Sequence, residues 1–201
     1  MDTDFPLFPL RAVLLPGGRM PLQIFEPRYL DLISRCMRTD GSFGIVRITR
    51  GSEVMSTADQ GATECDVVGT EARIVDWDAL PHNRLRITIE GARRFCLLDT
   101  RQGAQGLLLG DVAWINESSD NEHESDEYDE MVGLLQTLQQ HPLLKELGVS
   151  ADVKSGCLAW TLAQYLPLDD DRRYELLIEN DGYQRIQQIQ SLLKRLGGEP
   201  D

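Results

Sequence analysis

The cysteines and histidines of this sequence are few, and their spacing matches neither a C-x-x-C pair nor a zinc-binding motif. Cysteines stand at positions 36, 65, 96 and 157 without a C-x-x-C pair. The three histidines do not complete a zinc-binding spacing with them. We therefore expect reduced, mostly buried thiols, with no bound metal and no other cofactor.

Motifs of common catalytic machinery are absent from the sequence as well. It has no Gly-Lys dipeptide and hence no phosphate-binding G-x-x-x-x-G-K-[ST] loop, and neither G-x-S-x-G nor H-E-x-x-H occurs. The only lysines are Lys145, Lys154 and Lys194, and nothing marks one of them as the partner of a nucleophilic serine such as Ser155. We predict no catalytic residue and no enzymatic activity.

Acidic side chains are concentrated in one short segment. The 201 residues include 33 acidic and 20 basic side chains, for a net charge of -13. Residues 117–130, ESSDNEHESDEYDE, contain 8 acidic and no basic side chains. They lack the glycine and the ligand periodicity of a calcium-binding loop. We interpret residues 117–127 as a solvated acidic linker, with metal binding by the carboxylates as the alternative.

The first 116 residues show the patterns of strands and turns. Short apolar runs such as FPLFPL, FGIVRIT and GLLLGDVAWI are bounded by Gly, Pro and Asp. In RLRITIEGARRF, residues 84–95, Leu85, Ile87 and Ile89 alternate with polar residues, which is the period of a half-buried strand. Only residues 27–38 have helical spacing, with Pro27 suited to the first turn.

The second half of the chain has helical spacing throughout. We predict helices over residues 128–138, 153–166 and 186–196, and a further one from an Asp169 N-cap to Asn180 with Tyr174, Leu177 and Ile178 facing inward. A β-rich half followed by a helical half indicates an α+β fold. We expect a β-rich subdomain over residues 1–116, the acidic linker over 117–127 and a helical bundle over 128–201.

The sequence also bears on location. The first residues, MDTDFPLF, are acidic where a signal peptide would be basic. No apolar run approaches the roughly 20 residues that a membrane-spanning helix needs. We expect a cytoplasmic protein that does not contact a membrane.

One stretch, residues 5–29, stands out because prolines punctuate its apolar runs before the predicted helix. This stretch, FPLFPLRAVLLPGGRMPLQIFEPRY, resembles the opening of the Lon protease N-terminal domain, the Lon substrate-binding domain family. Further similar blocks are FGIV (43–46), GTEARIVD (69–76), RLRITIEGARRF (84–95), LAWTLAQYLPLD (158–169) and YELLIENDGYQRIQQI (174–189). The resemblance runs in order from residue 5 to residue 196, nearly the whole chain.

The resemblance implies both a fold and a function. The implied fold is a PUA-like β pseudobarrel followed by a small α-helical bundle. Full Lon proteases continue into ATPase and serine–lysine protease modules, and this sequence ends at Asp201 with neither. We therefore expect a stand-alone, non-catalytic recognition module, either binding unfolded or tagged polypeptides or serving as an adaptor in a protease or chaperone complex. A monomer or a small homo-oligomer is expected.

The candidate polypeptide contacts lie in two of the resembling blocks. An extended peptide is usually held by exposed apolar and aromatic side chains or by an open strand edge. For Glu26 and Arg28 the simpler interpretation is an internal ion pair or a helix cap, and for each aromatic residue it is a place in the core. The candidate residues are Phe25, Arg28, Tyr29, Arg93, Arg94 and Phe95.

Two other functions stay open at this point. The chain would be a regulatory partner of a larger complex without substrate contact, or an RNA-binding protein, since PUA-like folds include RNA binders. Arg84, Arg86, Arg93 and Arg94 lie in one strand region, and arginine with aromatic neighbours stacks on bases. However, the first 116 residues carry 15 acidic and 13 basic side chains, so long-range attraction for a polyanion is weak. We do not expect nucleic acid as a partner.

Overall fold

The structure is a computed structural model that describes residues 1–51, 63–116, 126–149 and 157–197. Contacts divide the chain into two units, Met1–Ile115 and Asn116–Asp201. The described residues of the first unit form mainly strands, together with helix α1 (Pro27–Thr39) and a short 3-10 turn, Ala104–Gly106. Its strands are β1 (Asp2–Leu10), β2 (Arg19–Ile24), β3 (Phe43–Arg50), β4 (Glu64–Cys65), β5 (Val68–Leu80), β6 (Arg84–Gln102) and β7 (Leu108–Trp114).

The strands of the first unit close into a barrel. Hydrogen-bonded neighbours follow the order β1-β7-β6-β5-β3-β4. Because β1 also pairs in parallel with β3, with Leu7 opposite Gly44, the sheet returns on itself. Strand β2 pairs with the first part of β6, from Arg19 opposite Glu90 to Ile24 opposite Leu85. The alternation predicted over residues 84–90 is confirmed, since Ile87 and Ile89 are buried in the barrel core.

Helix α1 packs one face against this barrel. It begins at Pro27, as the sequence predicts, because proline lacks the N–H that a first helical turn leaves unpaired anyway. Its buried residues follow i, i+3, i+4, i+7 spacing and join a core cluster with barrel residues such as Phe43 and Ile89. The helix ends at Asp40, whose backbone adopts the left-handed conformation with φ 51°. The buried residues of α1 are Tyr29, Leu32, Ile33 and Cys36.

The second unit is helical. Its helices are α2 (Asp126–Leu138), α3 (Pro142–Glu146), α4 (Leu158–Tyr165), α5 (Asp170–Ile178) and α6 (Gly182–Gly197). The Asp169 N-cap of α5 is confirmed, since its carboxylate accepts a hydrogen bond from the Arg172 N–H at 2.8 Å. The short helix α3 is not among the helices that the sequence predicts.

One predicted helix face is wrong in part. Ile178 is 43% exposed, whereas Leu176 and Leu177 are buried in α5. Consecutive helical residues are rotated by about 100°, so a buried face centred between Leu176 and Leu177 leaves Ile178 outside it. The first part of the helix predicted over 153–166 and residues 117–125 of the acidic segment lie outside the described residues.

Candidate functional site

The first group of candidate residues lies where β2 leads into α1. Phe25 is 52% exposed and follows the last residue of β2. Arg28 is turned inward: its Nη2 lies 3.0 Å from Glu26 Oε2, and its Nη1 donates a hydrogen bond to the Gly106 carbonyl at 3.0 Å. The interpretation of Glu26 and Arg28 as an internal ion pair is confirmed.

Tyr29 belongs to the barrel core. Its ring stacks on Phe8, with ring centroids 3.9 Å apart and an angle of 17° between the planes. The Arg28 guanidinium lies 4.5 Å from the centroid of the same ring, so Tyr29 contacts both a cation and a second aromatic ring. Tyr29 is 4% exposed. Within this group, therefore, Phe25 alone presents a large apolar surface to solvent.

The second group, on β6, is largely internal too. Arg93 keeps 55% of its side chain exposed, but its Nε donates a hydrogen bond to Glu71 at 2.9 Å and its guanidinium lies 4.0 Å from the Trp114 ring centroid. Arg94 and Phe95 are fully buried. Phe95 and Tyr29 belong to different hydrophobic clusters, so the structure does not unite the two groups in one surface.

A groove that the sequence patterns do not indicate lies beside β5. It has a volume of 370 Å³ and runs between β5 and the C-terminal end of α1. Trp77, Val75 and Met37 line it and are among the exposed large apolar residues of the chain. The sequence gives little signal for this groove, because Trp77 sits between two aspartates and so has the pattern of an inward residue on a half-buried strand.

A buried carboxylate forms part of the groove wall. Glu71 accepts hydrogen bonds from the Ser42 hydroxyl at 2.7 Å and from Arg93 Nε at 2.9 Å, and Arg73 Nη2 lies 3.9 Å away. Burial by itself raises the pKa of Glu71, but the hydrogen bonds from Arg93 and Ser42 and the charges of Arg93 and Arg73 outweigh it and hold the pKa below its ordinary value. Glu71 is therefore ionised at neutral pH.

This low pKa predicts a pH dependence of stability. A carboxylate with a lowered folded-state pKa stabilises the fold above its ordinary pKa, and the contribution is lost as the pH falls through the folded-state pKa. We expect Glu71→Gln to lower the free energy of unfolding by about 1 kcal/mol at pH 7, because Arg93 is half exposed and solvent screens the pair. Urea unfolding at pH 7 and at several values below pH 5 measures both effects.

Arg93→Gln and the double variant are the controls for this prediction. If the two side chains act as one pair, the double variant loses less stability than the sum of the single variants. Glu71→Gln should also show a shallower loss of stability with falling pH than the wild type. An unchanged slope in Glu71→Gln would contradict the assignment.

Burial disfavours the reactive thiolate form of Cys36 and Cys65. The four cysteines all lie in described residues and none is in a disulfide; Cys36 is buried and the other three are half-buried, so the expectation of mostly buried thiols holds only in part. Burial and, to a lesser extent, the adjacent Asp66 carboxylate together raise the pKa of the Cys65 thiol to about 11. Burial also raises the pKa of Cys36. Both thiols are protonated at neutral pH, and a thiol in that form is a poor nucleophile and a poor metal ligand.

Metal-binding clusters and membrane-spanning helices are both absent from the described residues. In residues 1–51, 63–116, 126–149 and 157–197, no group of three or more His, Cys, Asp or Glu side chains is placed to hold a metal ion. Most residues of the acidic segment, for which metal binding was the alternative interpretation, lie outside those ranges. The helices within them are all too short or too polar to cross a bilayer.

The family of the chain follows from a comparison with known families. The family model described as the ATP-dependent protease La (LON) substrate-binding domain matches residues 4–195. The chain belongs to this family. Two Lon relatives support the assignment: Lon protease 2 of Myxococcus xanthus and the Lon protease of Anaeromyxobacter dehalogenans are each 32% identical to this chain, over 100 and 98 residues. These matches span 49% and 48% of this chain, but 12% and 11% of the relatives.

Solved Lon structures share the fold. The Lon N-terminal domain protein from Xanthomonas campestris has a TM-score of 0.68 and 32% identity, and the match covers 95% of this chain and 98% of that one. The N-terminal domain of the Mycobacterium avium complex Lon protease has a TM-score of 0.59 at 16% identity, covering 91% and 94%, and shows the fold alone. The predicted α+β fold, a barrel followed by a helical bundle, is confirmed, and so is the predicted family.

Proposed function

We propose that this Lon substrate-binding domain is a non-catalytic module that binds unfolded or tagged polypeptides, directly or as an adaptor in a protease or chaperone complex. The observation that carries the proposal is the family match over residues 4–195, which covers both units. The matched segments cover about a tenth of the length of the Lon relatives, so their protease activity is not transferred to this chain. The cytoplasmic location and the monomeric or small oligomeric state stay predictions from the sequence.

The surface of the barrel unit supports this proposal. Phe25, Met37 and Trp77 expose apolar or aromatic area in a unit whose other large apolar residues are mostly buried. Exposed aromatic side chains bury much area on binding and are the usual anchors of protein interfaces. Phe25 lies two residues before the exposed Pro27, whose ring fixes its own φ at the start of α1.

The experiment is a fluorescence anisotropy titration of this protein into a labelled, reduced and alkylated polypeptide, without ATP and at low and moderate salt. We expect saturable binding that survives the added salt, because apolar contacts are screened little by ions. No binding at either salt concentration would overturn the proposal, and a specific folded partner would then be sought by pull-down.

Phe25→Ser is expected to weaken polypeptide binding about tenfold, because burial of a phenylalanine ring contributes about 1.5–3 kcal/mol. Since the ring is half exposed, the melting temperature should stay close to that of the wild type. The matched control is Tyr183→Ser, which removes a 60% exposed aromatic ring from helix α6. Equal affinities for Phe25→Ser and the wild type would remove Phe25 from the binding surface.

The structure gives the RNA alternative little support. Of the four arginines proposed for RNA contact, Arg94 is buried and Arg93 is engaged with Glu71 and Trp114. Arg84 Nε donates a hydrogen bond to the Pro81 carbonyl, and Arg86 lies opposite Asp78 in the β5–β6 register. The four side chains therefore do not form one open basic face. A labelled single-stranded RNA in the same titration tests this, and binding that falls steeply with salt would restore the alternative.

A further inference from the structure

The second half of β5 has an open edge. On one side β5 pairs with β6 along its length, from Val68 opposite Cys96 to Leu80 opposite Arg84. On the other side it pairs with β3 only at Thr70, Glu71 and Ala72. Within the residues that the structure describes, no strand pairs with that side beyond Ala72. The backbone of residues 73–80 thus offers unpaired groups of the kind that an added strand uses.

The groove of 370 Å³ runs along part of this edge. It lies between β5 and the C-terminal end of α1. Trp77, Val75 and Met37 supply its apolar surface, and Trp77 is 52% exposed. An extended chain lying on the edge would therefore find a place for apolar side chains directly beside its backbone, which is how strand addition combines affinity with selectivity.

The charges around the groove are mostly negative. Asp40, Glu71 and Asp76 line it, against a single basic residue, Arg73. Glu71 is already bound by Ser42 and Arg93. Asp40 and Asp76 have no ion pair within the described part of the chain. A lysine or arginine of a bound chain would complement these two carboxylates and would also interact favourably with the Trp77 ring.

The same charges argue against a second copy of this protein as the occupant. Pairing two identical β5 edges would bring the aspartates at positions 76 and 78 of one copy close to those of the other. Like charges on adjacent strands are destabilising, and charged residues on an edge commonly serve to prevent such self-pairing. A segment of another polypeptide that carries basic and apolar residues would instead place positive charges beside these aspartates.

We propose that the open edge of β5, residues 73–80, binds an extended polypeptide segment in which apolar residues alternate with lysine or arginine, adding it to the sheet as a further strand. The proposal rests on the proposed function, since it names the place and the substrate class for polypeptide binding. The expected occupant is a basic unfolded segment. The test would contradict this if a neutral or acidic segment bound equally well.

The test uses the full chain and two labelled synthetic peptides. One alternates valine with lysine, and the other has the same length with glutamate in place of lysine. We expect the basic peptide to bind about tenfold more tightly than the acidic one. Equal binding of the two peptides would overturn the charge assignment.

Two variants locate the site. Trp77→Ser and Asp76→Lys are each expected to weaken binding of the basic peptide about tenfold. Asp76→Lys should also improve binding of the acidic peptide, which a merely structural effect would not do. Tyr183→Ser is the matched control, because it removes an aromatic ring of similar exposure from helix α6, outside the barrel unit. Melting temperatures check that each variant is folded.

Amide hydrogen exchange tests the strand addition itself. Bound basic peptide should slow exchange at alternate residues of 73–80, while β2 should exchange as before. If the wild type binds unfolded polypeptide but Trp77→Ser and Asp76→Lys bind as the wild type does, the edge site is wrong and the proposed function stands. If the wild type binds neither the alkylated polypeptide nor the peptides, both are wrong.

Discussion

Replacing Phe95 by alanine is expected to lower the free energy of unfolding by about 3–5 kcal/mol, the usual cost of removing a buried phenylalanine side chain. The ring is fully buried and packs edge-on against Phe5 and Trp114, with centroid distances of 5.8 and 6.0 Å. Leu7, Val46 and Val112 complete the cluster. Urea unfolding of Phe95→Ala against the wild type measures the loss.

Two glycines make room for this ring. A Cβ atom at Gly69 would come within 2.4 Å of the Phe95 ring, and one at Gly44 within 2.7 Å. Phe95→Ala leaves a cavity, whereas Gly69→Ala would overpack the same part of the core. Overpacking commonly lowers the free energy of unfolding by about 1–3 kcal/mol. Phe95→Leu is the control: it retains apolar volume and should lose less stability than Phe95→Ala. A loss below about 1 kcal/mol for Phe95→Ala would contradict the core assignment.

The Phe95 prediction affects how binding data are interpreted. Tyr29, Arg94 and Phe95 are all buried. An alanine substitution at any of them would reduce polypeptide binding by destabilising the fold, whether or not the residue touches the polypeptide. Phe25 and Trp77 are about half exposed, so their loss leaves the barrel core intact. Only substitutions of this second kind separate binding from stability.

The secondary structure was predictable where one face of an element meets solvent. The alternation of Leu85, Ile87 and Ile89 and the spacing of Tyr29, Leu32, Ile33 and Cys36 in α1 each identify one buried face. The Asp169 cap was predictable because a side-chain carboxylate satisfies a helix N–H locally. These patterns depend only on residues close in sequence, so they can be recognised without knowledge of the tertiary fold.

The candidate site was harder to predict because its exposure depends on long-range pairing. Arg94 and Phe95 are consecutive and both buried, so both faces of β6 are covered there and the period of two disappears. Trp77 follows the alternation of an inward residue, yet β3 stops pairing at Ala72 and the strand continues beyond the barrel core. Where β3 ends relative to β5 is a matter of register between segments far apart in sequence. No local pattern encodes it.

Replacing Trp160 by alanine is expected to destabilise the helical unit by about 3–5 kcal/mol. Trp160 is fully buried in α4, and its indole N–H donates a hydrogen bond to the Leu176 carbonyl of α5 at 2.8 Å. The guanidinium of Arg185, on α6, lies 3.8 Å from its ring centroid. One side chain thus connects three helices, so its loss leaves a cavity, an unpaired carbonyl and a buried cation without its aromatic partner.

Trp160 differs from an ordinary core tryptophan because its ring packs against the guanidinium of Arg185. Arg185 is itself buried, and its Nη1 donates to the Glu179 carbonyl at 2.9 Å. A buried cation is stable only while its surroundings compensate its lost hydration. Trp160→Phe keeps most of the volume and an aromatic face but loses the indole donor, and we expect it to cost about 1 kcal/mol. If Trp160→Phe were as damaging as Trp160→Ala in urea unfolding, the hydrogen bond to Leu176, and not the packing against Arg185, would dominate.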